Sequence, residues 1–174
     1  MPERSQHHDW YALFVLSGEE DRVKERLLYR FESAIRVLVP KRRIRERRGG
    51  KWYYTIKPLF PGYVLINGHI GTEEYYQLKN IPGLIKLLKS EYEPLKIGEE
   101  ELRIISQLVC SDEAIGFSDV LLENGKVAVV DGPLVSMEGY ILSIDRRKGR
   151  AKVKLNFLGE ERTVELGVNV LQPG

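Results

Sequence analysis

A chain of 174 residues, 43% hydrophobic and 30% charged, has room for one medium domain or two small ones and is too apolar for wholesale disorder. No apolar run nears the ~18–20 residues of a bilayer span, the opening MPERSQHHDW lacks the apolar centre of a secretion signal, and the single Cys110 allows no internal disulfide; no membrane association and a cytoplasmic location are expected. The net charge of +2 hides a segregation, because residues 111–174 carry 8 Lys and Arg against 10 Asp and Glu, yet six of those cations fall between Asp145 and Lys154.

Trp10–Leu16 (WYALFVL) is apolar and aromatic and predicts a buried or half-buried strand. Ser17 and Glu20 stand at capping-box spacing. Val23, Leu27, Leu28 and Phe31 then recur on one helical face, predicting a helix to about Ser33. Ile35–Pro40 predicts a second strand, stopped by its proline. KRRIRERRGGK (Lys41–Lys51) holds seven cations and a Gly-Gly, and reads as a strand end followed by an exposed hairpin loop. KWYYTIK and FPGYVLING predict strands from their aromatic and β-branched content. Thr72 is placed to cap a short helix, EEYYQLK, before Pro82-Gly83 turns the chain into a strand at Leu84–Leu88. Gly98–Cys110 predicts a helix with Leu102, Ile105, Leu108 and Val109 inward. Residues 9–110 are therefore expected to form an α+β domain.

Residues 111–120 (SDEAIGFSDV) show little periodicity and read as a linker. Beyond them, KVAVVDG, EGYILSID, RAKVKLNFLG and ERTVELG are short, alternating and separated by glycines. That spacing predicts a small β-barrel over 121–174.

Catalytic chemistry finds no foothold. Cys110 has no evident base, and His7, His8 and His69 cannot be assembled with it into a metal site. No Walker loop, dinucleotide fingerprint or nucleophile elbow is present. No enzyme activity, cofactor or metal is expected.

Two stretches carry a family resemblance. WYALFVLSGEEDRVKERL, KPLFPGYVLI (Lys57–Ile66) and LKNIPGLIKLL resemble the N-terminal (NGN) domain of the NusG transcription-factor family, and GKVAVVDGPLVSMEGYILSIDRRKGRAKVKLNFLGEERTVEL (Gly125–Leu166) resembles its KOW domain. The resemblance implies an NGN-like antiparallel sheet with flanking helices, followed by an SH3-like KOW barrel, in a protein expected to act as a monomer. It implies that the first domain binds the clamp helices of bacterial RNA polymerase through an apolar patch. Carried over by position, that patch includes Phe14, Phe60 and Leu65. Large apolar strand residues also suit a core, so both roles stay open for these three. Glu74 to Gln77 align with the family segment facing the polymerase gate loop.

Within the family frame, Lys41, Arg42, Arg43, Arg45, Arg47, Arg48 and Lys51 lie on the hairpin near upstream DNA. Such cations are candidates for phosphate contact, or simply a solvated loop. Family members that couple transcription to a ribosomal protein or to Rho use aromatic residues near the KOW loop tips. Here those positions hold Leu134, Met137 and Leu158, with Phe157 adjacent as the one aromatic that could compensate.

The basic run itself, IDRRKGRAKVKLNF (Ile144–Phe157), crowds Arg146, Arg147, Lys148 and Arg150 into a turn and alternates Lys152 and Lys154 along the next strand. Arginines on a narrow ribbon can fork phosphates or guanine edges, and an RNA hairpin loop or bulge is a fitter target than regular A-form helix. The combination is similar to the specialised LoaP antiterminators of the family, which implies a nascent RNA hairpin as a second partner. A general elongation factor and a KOW-containing ribosome-associated protein are the alternatives.

Overall fold

The computed structural model describes residues 9–172. In chain order the elements are β1 (Trp10–Val15), α1 (Glu20–Phe31), β2 (Ile35–Leu38), β3 (Lys41–Arg48), β4 (Lys51–Pro58), β5 (Tyr63–Gly68), α2 (Thr72–Leu78) and β6 (Leu84–Leu87). They continue with α3 (Glu99–Leu108), β7 (Ala114–Ile115), β8 (Ser118–Glu123), β9 (Lys126–Asp131), β10 (Ile141–Asp145), β11 (Arg150–Phe157) and β12 (Glu160–Val170). The α+β expectation is met. The elements gather into two compact units that cut across chain order: residues up to Val39 with Phe60–Ile97, and Pro40–Leu59 with the chain from Gly98 onward.

The first unit is built on a four-stranded antiparallel sheet, ordered β2-β5-β1-β6. Strand alternation sends Leu13 and Val15 of β1 and Val64 and Ile66 of β5 to one face, where they pack in a cluster with Val23, Leu27 and Phe31 of α1. The i, i+4 spacing of those three helix residues is what makes α1 amphipathic. Its start differs from the capping-box expectation. Glu19, not Ser17, takes the cap position without a side-chain bond, and the buried Glu20 carboxylate accepts the Gly18 N–H at 2.6 Å. An acidic group there also suits the positive end of the helix. Likewise Gly71 rather than Thr72 caps α2, and its N–H donates to Glu74 Oε2 at 3.1 Å. Pro61 and Gly62 turn the chain into β5: Tyr63 N–H reaches the Phe60 carbonyl at 3.2 Å, and Gly62 has φ +87°, which a type II turn demands at that position.

In the second unit β3 and β4 form a long antiparallel ribbon paired from Lys41↔Pro58 to Arg48↔Lys51. The segment read as a strand end followed by a hairpin loop is strand throughout up to Arg48, so the strand runs further than expected and only Gly49-Gly50 turns. Residues 111–120, read as a linker, hold β7 and the start of β8. β7 extends β3 in parallel, and Ala114 and Ile115 are buried. The remaining strands make a five-stranded sheet, β10-β11-β12-β8-β9, with β12 and β8 parallel. On β11, Ala151, Val153, Leu155 and Phe157 point inward and Lys152, Lys154 and Asn156 outward, as the alternation predicts. A carboxylate of α3 ties down the β11–β12 turn: Glu101 accepts the N–H groups of Leu158 and Gly159 at 3.0 and 3.1 Å. Leu134 and Met137 are buried in this unit and Phe157 is fully so, which removes all three from any exposed loop-tip interface.

Candidate nucleic-acid interface

The turn between β10 and β11 is pinned by Asp145, through both its side chain and its carbonyl. Asp145 Oδ1 accepts the Lys148 N–H at 2.9 Å, and the Asp145 carbonyl accepts the Gly149 N–H at 2.9 Å. Gly149 has φ +66°, and a side chain there would run into Arg45 and the Val168 carbonyl, so the turn closes only with glycine. The constraint leaves Arg146, Arg147 and Lys148 as three successive exposed cations, none of which has an ion-pair partner among the described residues. Three long cationic side chains on one short arc form a site that attracts phosphate before any contact is made.

The six cations of this run do not act alike. Lys152 stands exposed on the outward face of β11 and extends the patch. Lys154, on the same face, is already paired with Glu161 at 2.9 Å in a solvent-facing bridge. Arg150 turns inward. Its side chain is only 16% exposed, its Nη1 donates to Glu165 at 2.8 Å, and its Nη2 donates to the Arg45 carbonyl at 3.0 Å. It is a structural clasp between β11 and the ribbon.

The ribbon cations divide in the same way. Arg42 Nη1 donates to the Glu165 carbonyl at 2.8 Å, and burial, then the charge of Arg150, holds the Arg42 guanidinium below its ordinary value. Lys41 meets Glu113 at 3.3 Å and Arg43 pairs with Asp112. The Ala114 N–H first, and Arg43 second, keep the Asp112 carboxyl below the usual carboxylate range. Glu46 is lowered chiefly by Lys57 and also bonds Arg48 at 3.1 Å. Arg47, Arg48 and Lys51 are exposed at the ribbon tip, and the Arg45 and Arg47 guanidinium carbons lie 6.0 and 5.9 Å from the Trp52 ring centre.

Of the three residues expected in an apolar docking patch, Leu65 is fully buried and Phe60 is 4% exposed. Phe14 is half-buried, with the Tyr63 ring 5.7 Å away at 60°. Phe14 and Leu65 share a sheet face, as the β1–β5 register Phe14↔Tyr63 and Ala12↔Leu65 requires, and it is the face opposite Leu13 and Val15. Only Phe14 of the three presents substantial surface. Sequence reasoning passed over Tyr63 beside it, and also Trp52, Tyr54 and Ile56 on the ribbon, whose shared face emerges only from the β3–β4 register.

The family model described as "Transcription termination factor nusG" matches residues 8–106 of this chain. The chain belongs to the NusG family. Over 169 residues it is 32% identical to the transcription termination/antitermination protein NusG of Bacillus subtilis, covering 91% of this chain and 94% of that protein. Against the NusG of Thermus thermophilus it is 31% identical over 173 residues, 91% and 94% of the two chains, and against that of Rickettsia felis 31% over 170 residues, 92% and 87%. A solved structure described as "Domain interaction in Thermotoga maritima NusG" matches with a TM-score of 0.59 at 23% identity, over 91% of this chain and 93% of that one, a likeness of fold. The NusG family is one of transcription termination and antitermination factors, which the names of all three relatives state.

Proposed function

We propose that this NusG-family chain is an elongation and antitermination factor with two grips: an N-terminal domain (residues 9–110) that holds the clamp helices of RNA polymerase, and a KOW domain (121–174) that holds a hairpin of the nascent RNA. The observation that carries the RNA reading is the divided fate of the basic run. Arg146, Arg147, Lys148 and Lys152 remain exposed and unpaired among the described residues, whereas Arg150 is spent internally. A turn that needed only solubility would not require three adjacent cations with no ion pair among the described residues. Phosphate attraction supplies affinity, and arginine forks supply discrimination in an unpaired loop or bulge. Joining the two grips in one chain raises the effective concentration of each for the other. The exposed ribbon-tip cations Arg48 and Lys51 would add phosphate contacts with upstream DNA. This combination resembles the LoaP branch of the family. The test is binding of the full chain to leader RNA hairpins with and without the substitutions Arg146→Gln and Arg147→Gln. Unchanged affinity in both variants would remove the RNA-hairpin role.

A second reading is a general NusG that couples polymerase to a ribosomal protein or to Rho. Alignment with general NusG proteins over about nine-tenths of the chain favours it. The burial of Leu134, Met137 and Phe157 weighs against it, since of the four positions named for anchors only the half-buried, aliphatic Leu158 keeps any surface. Pull-down of ribosomal protein or Rho by the full chain, with RNA-hairpin binding absent, would establish this second reading over the first.

A further inference from the structure

The β3–β4 ribbon carries an exposed face that neither the fold nor the turn explains. Register sets three rungs on that face: Arg43 opposite Ile56, Arg45 opposite Tyr54 and Arg47 opposite Trp52. Each rung pairs a guanidinium with an apolar or aromatic side chain. The apolar members are left in solvent, Trp52 at 44%, Tyr54 at 76% and Ile56 at 48% exposed. A ribbon serving only as scaffold would bury this row or replace it with polar residues, because exposed flat apolar strands invite aggregation.

The geometry suits unpaired bases. Trp52 and Tyr54 are two residues apart on one strand, so their rings recur at about 6.8 Å, twice the ~3.4 Å rise of stacked bases. Arg45 and Arg47 flank the Trp52 ring at 6.0 and 5.9 Å, within reach of phosphates on a strand threaded across it. Next to them lies a hollow of about 340 Å³ lined by Arg43, Tyr54, Ile56 and Phe117, in which Phe117 meets Tyr54 edge-on at 5.6 Å. The face also joins the basic turn, since Arg150 donates to the Arg45 carbonyl and Arg45 lies against Gly149.

We propose that this face binds an unpaired nucleic-acid strand by stacking bases on Trp52 and Tyr54 and holding its phosphates with Arg45 and Arg47. The assignment of that strand to the transcript, running on from a hairpin held at Arg146–Lys148, rests on the RNA reading of the turn. Stacking on aromatic side chains tolerates any base, so the face would grip without reading sequence.

The chain has two tryptophans, so Trp10→Phe leaves Trp52 as sole reporter. The full chain with that substitution is titrated with oligo(U) RNA, oligo(dT) DNA and a blunt-ended RNA duplex, following tryptophan emission. Both unpaired oligomers should quench Trp52, and the blunt duplex should not. Stronger binding of oligo(U) points to the transcript and stronger binding of oligo(dT) to a displaced DNA strand; either supports stacking. Adding Tyr54→Ala should weaken oligomer binding on the order of tenfold and leave blunt-duplex affinity unchanged. No quenching by either oligomer, or equal quenching by the blunt duplex, in protein with wild-type circular dichroism would overturn the proposal. If oligomers quench Trp52 while hairpin affinity ignores Arg146→Gln and Arg147→Gln, the turn reading fails and the stacking face stands.

Discussion

Neutralising the tip of the β10–β11 turn should change the salt dependence of RNA binding by an amount the structure fixes. Of six cations in the run, Arg150 is bonded internally and Lys154 is paired with Glu161, leaving Arg146, Arg147, Lys148 and Lys152 to displace counterions. At ~0.7–0.9 per phosphate neutralised, four contacts give a log–log slope of about −2.8 to −3.6, so raising salt from 50 to 200 mM should weaken binding about 50- to 150-fold. Replacing Arg146, Arg147 and Lys148 together by Gln leaves Lys152 alone, and the same change of salt should then cost only about threefold. Fluorescence anisotropy with a generic RNA hairpin suffices, because this contribution is independent of sequence. Arg150→Gln should leave the slope unaltered and instead lower stability by about 1–3 kcal/mol, the cost of losing charged hydrogen bonds in a site that water scarcely reaches. A triple variant with the wild-type slope, or an Arg150 variant with the largest change of slope, would refute the division of labour among these cations.

Other outcomes follow from burial and charge. Leu65→Ala should destabilise the protein by about 2–5 kcal/mol in denaturant unfolding, as for a fully buried leucine, whereas Phe14→Ser should fold and lose affinity in a polymerase pull-down; retention of polymerase by folded Phe14→Ser would remove that residue from the interface. The Asp112 carboxyl, lowered by the Ala114 N–H and Arg43, stabilises the folded state above its unfolded pKa of about 3.9, and that contribution fades as pH falls through the lower folded value. The protection factor of the Ala114 amide should therefore drop below about pH 4 in wild type and show no such step in Asp112→Asn. Gly149→Ala should lower thermal stability by more than about 1 kcal/mol, because φ of +66° and the neighbouring Val168 carbonyl both oppose a side chain.

Local pattern carried most of the fold. The i, i+4 spacing of Val23, Leu27 and Phe31 placed α1, and the strict alternation from Ala151 to Phe157 placed β11 and the outward Lys152 and Lys154. What the sequence left hidden depends on tertiary neighbours. Arg150 looks like its neighbours Arg146 and Arg147 in a list of residues; only the approach of β3 and the position of Glu165 turn it inward. Lys41–Lys51 reads as a strand end followed by a loop because its charge masks how far the β alternation runs, while pairing with β4 holds it extended to Arg48. Ser17 matches a capping box by spacing, but Glu20 bonds the Gly18 N–H and the helix starts later. Phe60 and Leu65 carry no sign of whether a sheet face is covered, so their burial was not readable from residue type.

The most direct measurement is crosslinking within a transcribing complex, using nascent RNA that contains 4-thiouridine and mapping the adducts to individual residues of the full chain. Adducts clustered at Arg146–Lys148 and Lys152, with the polymerase still bound, are the predicted result. A chain that stays on the polymerase and yields no adduct between Asp145 and Lys154 would contradict the account.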